Sequence, residues 1–382
     1  MNNMTQKLGE GKVLPLVFKL TIPAVVAQLI TFLYNVVDRM YVANIKDCGM
    51  DALAALGIVL PITLIMLSFS NLIGLGGSAR AGIKLGEGNN DEANKIFNVS
   101  AVLLTVIGVF LSVLTFFLAK NIVILFGCPD SAVSLATSYL KIYSLGTVFV
   151  MLAQGMNAYI TTQGYSGAAM ISVLIGAVAN IALDPLFIFV FDMGVSGASL
   201  ATVISQFISF VWITAFFFSK KSVFEFRIKD MKWDTRRVFS IVSLGFSPFV
   251  MTITECAIQI VFNVNLNIST GGNKDYTAAL TIMMSALQLI ALPLNGLGYG
   301  MQPFVSYNYG KGDAKRLKEG VRDVTIVAFA FTVIVWSLSL AFPKIYAYIF
   351  SASDSVKEIV AEYTPLFLMG SIMFFVQMTL QT

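Results

Sequence analysis

The chain has 382 residues, 57% of them hydrophobic and only 12% charged, with a net charge of +4. A soluble domain carries roughly 25% charged residues, and a mean hydropathy of +0.80 over this length cannot be buried in one water-soluble core, so the composition describes a multi-pass membrane protein. The absence of histidine excludes most zinc chemistry, Ser-His-Asp and Cys-His triads and His-ligated haem.

A spanning helix needs about 20 mostly apolar residues. Ten such runs follow one another, near 14–44, 52–80, 95–119, 133–161, 166–191, 194–218, 238–266, 277–304, 322–347 and 358–380. Met1 to Lys12 is polar, and no small-residue cleavage site follows, so the first span is expected to stay in the membrane. With residue 1 placed in the cytoplasm and the spans alternating, 18 basic residues fall on the cytoplasmic side and six opposite. That is a strong positive-inside signal. It predicts a bacterial inner-membrane protein with a cytoplasmic N-terminus. The basic stretch 220–237 then has a topological role, and no nucleic-acid partner is expected.

The sequence repeats itself. Gly74, Gly76, Gly86 and Gly88 recur 224 positions later as Gly298, Gly300, Gly310 and Gly312. Tyr139 likewise falls on Tyr363 and Gly146 on Gly370, and Ile22-Pro23 matches Ser247-Pro248 at an offset of 225. The glycine pairs read as segments that follow the second and eighth helices. The expected organisation is a lobe over 1–219, a basic linker over 220–237 and an incomplete second lobe over 238–382. An even number of spans separates the starts of the halves, so the repeats are parallel, an arrangement suited to two bundles rocking about a central cavity. Thr382 corresponds to Ala158, inside the fourth span, so the repeat implies twelve helices, of which ten are present.

Charge at the bilayer centre is costly and marks candidate function. Three acids lie well inside the spans. Asp38 ends a stripe with Gln28, Thr31 and Asn35 on one face of span 1; it either faces the interior or pairs with a base at the outer interface. Asp184 follows Asn180 by four residues and precedes Pro185, which removes a backbone bond. Amide, carboxylate and freed carbonyl form either a set of hard oxygen ligands for Na⁺ or H⁺, or a capped kink. Glu255 shares a face of span 7 with Thr252, Gln259 and Asn263; it takes a proton or a cationic substrate, or is held by neighbouring hydroxyls. Gln154, Asn157 and Thr161 give span 4 a milder polar face. The small residues from Gly194 to Thr202, Ala198 among them, suit close helix packing.

The Gly-x-Gly pairs are no nucleotide loop, since no strand precedes them and no Gly-x-x-x-x-Gly-Lys-Ser/Thr occurs. Cys48 and Cys128 share the outer side, where a disulfide is open to them, and Cys256 is intramembrane. No Asp-Asp-x-x-Asp set or catalytic histidine is present, and an enzyme is not expected. Two readings remain: a secondary transporter, and a lipid-linked oligosaccharide flippase. The second calls for basic residues in the membrane, where only Arg39 stands.

Ile22-Pro23, Tyr34-Asn35 with Asp38, Gly86-Glu-Gly88, Asn180-Ile-Ala-Leu-Asp184-Pro185, Gly197-Ala198 with Ala201-Thr202-Val203, and Gly310-Lys-Gly312 together resemble the multidrug and toxic compound extrusion (MATE) family, its bacterial drug-exporting branch in particular. The resemblance runs over nearly the whole chain. It implies two six-helix lobes around a V-shaped cavity, and efflux of organic cations or drugs in exchange for H⁺ or Na⁺. It places Asp38, Asn180, Asp184, Ala198 (through its carbonyl) and Thr202 in a cation-coupling site. If sodium is the ion, Asp38, Asn180, Asp184 and Thr202 are its ligands. Glu255 matches an acidic position of helix 7, with Gln259, Gln28, Asn35, Gln154 and Asn157 as substrate or proton candidates. No cofactor beyond the ion and no oligomeric partner is expected.

Overall fold

The computed structural model describes residues 3–46, 49–269, 274–349 and 354–381. A short helix α1 (Asn3–Lys7) precedes α2 (Val13–Ala43), α3 (Gly49–Gly86), α4 (Asn90–Leu125), α5 (Asp130–Thr162) and α6 (Ser166–Pro185). Then come α7 (Gly194–Phe217), α8 (Thr235–Ser269), α9 (Lys274–Lys311), α10 (Ala314–Ala341), the short α11 (Lys344–Ile349), α12 (Asp354–Leu368) and α13 (Phe374–Gln381). Ten helical segments are long and apolar enough to span a bilayer, and the described residues hold no strand. Large apolar side chains such as Phe117, Leu125 and Phe218 are exposed on the outside. In water that would be a liability, whereas against lipid it is the expected surface.

The ten expected spans are all present, with three differences. Gly74, Gly76, Gly298 and Gly300 do not follow their helices; they lie inside α3 and α9, which continue to Gly86 and Lys311. Hydropathy marks only the apolar part of a helix, and these two project beyond it. The ninth span begins earlier than 322 and ends at Ala341, because its first turns are charged and Pro343, which lacks an N–H, separates it from α11. The tenth is broken by a 3₁₀ turn at Met369–Met373 between α12 and α13.

The repeat is visible in individual contacts. The side chain of Asn89 caps α4 by accepting from the Glu92 N–H at 3.1 Å, and that of Asp313 caps α10 by accepting from the Arg316 N–H at 3.0 Å. The preceding Gly88 and Gly312 have φ of 79° and 75°, a region that favours glycine, so each Gly-x-Gly motif ends one helix and hands over to the cap of the next. At the opposite end Ser131 donates to Asp51 at 2.8 Å and Ser355 donates to Asp275 at 2.7 Å. Each member of these pairs stands 224 positions from its mate.

Helices α2 and α3 pack against α8 and α9, joining the two halves. The approach is backbone to backbone. A Cβ on Gly76 would stand 2.5 Å from the Gly245 nitrogen, and one on Gly300 would stand 2.5 Å from the Thr21 Cα. Ser78 and Gln302 are repeat mates and touch each other, the Gln302 amide donating to the Ser78 hydroxyl at 3.4 Å and to the Leu75 carbonyl at 2.9 Å. Residues that meet their own mates lie on the pseudo-two-fold axis. Around that axis the α3–α4 and α9–α10 turns, residue 3 onward and the 218–234 segment gather at one end, called the basic end below.

Candidate functional site

The deepest polar cluster lies between α2, α5, α6 and α7. It exists because Pro185 ends the regular part of α6. The chain continues from Leu186 to Val190 as a π-helical turn, in which the Phe191 N–H reaches the Leu186 carbonyl at 2.9 Å. Such turns recur at functional sites. Gly197 of α7 packs directly against the backbone of this turn, a Cβ there falling 2.7 Å from the Phe187 carbonyl carbon. α7 is thereby drawn against α6, as the small-residue run predicts.

Asp184 and Asn180 are buried, at 0% and 2% exposure, and the Asn180 amide donates to the Asp184 carboxyl at 3.2 Å. Asp38 of α2 is half-buried and comes within hydrogen-bonding reach of Asp184. Arg39, its neighbour, is exposed. The oxygens Oδ1 of Asp38, Oδ2 of Asp184 and Oδ1 of Asn180 are buried and, among the described residues, accept from no donor. Two carboxyls facing each other in low dielectric repel unless a proton or a metal cation sits between them. Asp38 thus turns inward to the site. On α7, Ala198 is fully buried and its carbonyl accepts from the Thr202 hydroxyl at 3.0 Å. One lone pair of that carbonyl is therefore engaged, while the Thr202 oxygen keeps its own acceptor capacity.

Beside the cluster lies a polar cavity of about 70 Å³ lined by Thr31, Tyr34, Gln154, Asn157, Asn180 and Thr202, among others. It has room for a few waters. Asn157 is held there, accepting from Ser172 at 3.0 Å and donating to the Ala169 carbonyl at 3.4 Å. Gln28 and Asn35 are half-buried on α2 and stand outside the cavity lining.

Two tyrosines belong to the site that pattern reading did not single out for it. Tyr139 of α5 is 5% exposed, its hydroxyl is in reach of Thr202, and its carbonyl accepts from Ser199 at 2.8 Å. Tyr34 lines the cavity one turn before Asp38. A buried tyrosine must find a polar partner for its hydroxyl, and four polar side chains on neighbouring helices would have been the signal.

Among the described residues Glu255 joins no such cluster. It is exposed on α8, next to the buried Cys256. At the offset of 225 that pairs Pro23 with Pro248 it falls on Ile30, so the halves carry their acids on different turns. The side chains of Gln259 and Asn263 lie outside the described residues, as does Cys48, and with it the pairing considered for Cys128. Nearby, Asn71 of α3 donates to Thr252 of α8 at 3.5 Å.

These features define a multi-pass helical membrane protein, two-fold in construction, with a carboxyl pair in its first half, Asp184 buried and Asp38 half-buried. The chain belongs to the MatE family, whose model matches residues 23–186 and 248–382. It is similar to the multidrug export protein MepA of Staphylococcus saprophyticus, 25% identical over 318 residues that make up 82% of this chain and 69% of that protein. MepA of Staphylococcus haemolyticus is 26% identical over 325 residues, 85% of this chain and 71% of that one. Among solved structures, the outward-facing conformation of a multidrug resistance MATE family transporter of the MOP superfamily superposes with a TM-score of 0.89. It is 21% identical, over 100% of this chain and 85% of that one.

Proposed function

We propose that the protein is a secondary multidrug transporter, exporting organic cations in exchange for H⁺ or Na⁺ by alternating access. The observation that carries this reading is the meeting of Asp38 and Asp184 with three buried, donor-free oxygens. All donors at hand are hard oxygens, from carboxylate, amide, hydroxyl and carbonyl, which suit H⁺ or Na⁺. Asp38, Asn180, Asp184 and Thr202 hold the ion, and Tyr139 orients Thr202. In this reading residues 1–219 and 238–382 are the moving lobes, 220–237 joins them, and the basic end faces the cytoplasm. Tight glycine packing there, with α2 and α8 exposing Leu33, Met40, Ile258 and Val261 farther along, corresponds to a state open to the outside. The names of the MepA relatives support drugs as the exported class.

The energetics require the ion. Moving a monovalent cation outward against a negative-inside potential costs about 2.3 kcal/mol per 100 mV. One entering proton offsets that and leaves about 1.4 kcal/mol per pH unit for accumulation. A pair of carboxyls provides for a second ion when larger gradients are needed. Ion binding drives the cycle only by favouring one conformation over the other.

The test is ethidium uptake into inside-out vesicles under an imposed proton gradient and then a sodium gradient, comparing the natural protein with Asp184→Asn. Uptake with one gradient, lost in the variant, names the ion and supports the site. Uptake that survives in the variant moves the coupling to Glu255, and no uptake with either gradient, from folded protein, refutes drug efflux.

A further inference from the structure

Two clasps cross the basic end, and they use equivalent positions of the repeat. In the first, the segment leading into α2 is held by the turn between α9 and α10. Lys311 donates to the Gly9 carbonyl at 2.9 Å, Asn308 to that of Leu8 at 3.0 Å, and Arg316 to those of Gly11 and Glu10 at 2.6 and 3.2 Å. The same segment is tied to its own half where Thr5 donates to the Gln163 carbonyl at 3.3 Å. Gly9 has no room for a side chain there, since a Cβ would fall 2.8 Å from the Tyr307 ring.

In the second clasp, the start of α8 is held by the start of α4. Arg237 binds Glu92 with two bonds, at 2.8 and 2.9 Å, and the segment before it is fixed to α4 as well. The Glu225 N–H reaches Asn94 at 2.7 Å and the Arg227 N–H reaches Asn98 at 2.9 Å. Arg316 stands 224 positions after Glu92, so the mate of the residue that closes one clasp closes the other, with the charge reversed. Both clasps lie over the seam where Gly86 meets the Tyr307 backbone and Gly310 meets that of Ile83.

We infer that these paired clasps form the lock of the basic end: Arg316 with residues 8–11, and Arg237 with Glu92, must both let go before the two halves can separate there. The inference rests on the alternating-access reading proposed above. The first clasp joins residues 8–11 of one half to α9 and α10 of the other, and the second joins α4 to the first turn of α8, where the linker passes into the second half, so neither survives separation of the halves at that end. Because their bonds are charge-assisted, their loss shifts the balance more than neutral contacts would.

The test reads opening alone and needs neither drug nor ion gradient, so failure of the drug-efflux reading would not be mistaken for failure of the lock. The three cysteines are replaced by alanine, and Ser78→Cys is introduced at the axis, where Ser78 is 0% exposed. Its labelling by a hydrophilic maleimide is timed in nanodiscs, where both ends are accessible. Arg316→Ala and Arg237→Ala are each expected to speed labelling about tenfold, the scale of losing a charge-assisted hydrogen bond. Arg237 also donates to the Asp234 carboxylate at 2.7 Å, so the second pair is exchanged with that charge removed: Glu92→Arg with Arg237→Glu and Asp234→Asn restores slow labelling, a rescue that a general loosening of the fold would not give. Where an arginine variant does not fold, Glu92→Gln removes the charge while keeping the shape, and faster labelling is again expected. Unchanged rates in Arg316→Ala and Arg237→Ala, or in Glu92→Gln where it stands in for them, overturn the lock. So does a charge exchange that labels as fast as the single variants.

Discussion

Replacing Gly245 by alanine tests how the two halves meet. A Cβ on Gly245 would stand 2.6 Å from the carbonyl carbon of Leu72 and 3.0 Å from its Cα. Comfortable carbon–carbon separation is about 3.5–4.0 Å, so one backbone must retreat by roughly 1 Å. Neither partner is the tip of a flexible side chain, and the strain falls on the seam itself. Overpacking of this kind costs about 1–3 kcal/mol, which corresponds to a shift of about 5- to 150-fold in an equilibrium. In the proposed cycle the cost applies to the state closed at the basic end and vanishes when the halves part. Gly298→Ala is the control in the same repeat, because among the described residues its Cβ would meet Met378 atoms alone, at 3.6 and 3.9 Å. Spin labels at Asn90 and Lys318, exposed positions one in each half, are expected to show a longer distance gaining population in Gly245→Ala and no change in Gly298→Ala. Identical distance distributions in the two variants would refute the reasoning.

Phe224→Ala should lower thermal stability by about 3–5 kcal/mol, as expected for a large core truncation. The ring is 0% exposed, stacked 5.1 Å from Phe97 and edge-on to Tyr159 at 5.5 Å. Phe239→Ala, at a side chain 75% exposed, should leave Tm unchanged in detergent, and equal Tm values for the two variants would contradict the packing. Asp234 caps the start of α8, accepting from the Arg237 and Arg236 N–H groups at 3.2 and 2.9 Å. The Arg237 N–H, foremost, holds this carboxyl below its ordinary value of 3.8. A depressed folded-state value adds stability above the unfolded pKa and loses it as pH falls through the folded one. The Tm gap between the natural protein and Asp234→Asn should therefore be present near pH 6 and close below about pH 3.8; a gap that persists at lower pH would show the charge to be irrelevant. Tyr139→Phe removes only a hydroxyl beside Thr202, and in the proposed site it raises the ion concentration for half-maximal exchange about tenfold, the worth of one hydrogen bond. An unchanged value would take Tyr139 out of the site.

The polar cluster around Asp184 was legible in part. Asp38, Asn180, Asp184 and Thr202 stand out because charge and amide are costly in lipid, and because i, i+4 spacing shows which of them share a face. Tyr139 stayed hidden because its ring is apolar enough to pass for core, and its partner lies on a helix more than sixty residues away in the chain. Glu255 shows the converse. The same cost argument marks it, yet no polar cluster forms around it among the described residues. Helix ends were read short wherever a helix outruns the bilayer, as α3 and α9 do. Hydropathy reports the solvent that a residue meets, whereas helix length follows from capping, and the caps of α4 and α10 are made by side chains in charged turns.

The glycines at constant spacing hold a further consequence of symmetry. Near a two-fold axis, each contact between halves occurs twice with roles exchanged, so a close approach that needs glycine in one half needs it in the other. Gly76 against the Ile241 to Gly245 stretch, and Gly300 against Leu20 and Thr21, are the two copies of one such approach. The axis itself obeys a different rule. There a residue meets its own mate, and two identical side chains would compete for the same space or the same proton. Ser78 opposite Gln302, a short acceptor beneath a longer donor, resolves that competition. Gly82 opposite Ser306 resolves it by size, the Ser306 Cβ lying 2.9 Å from where a Gly82 Cβ would stand. Identity at offset 224 therefore marks the flanks of the seam, and complementary difference at the same offset marks its centre.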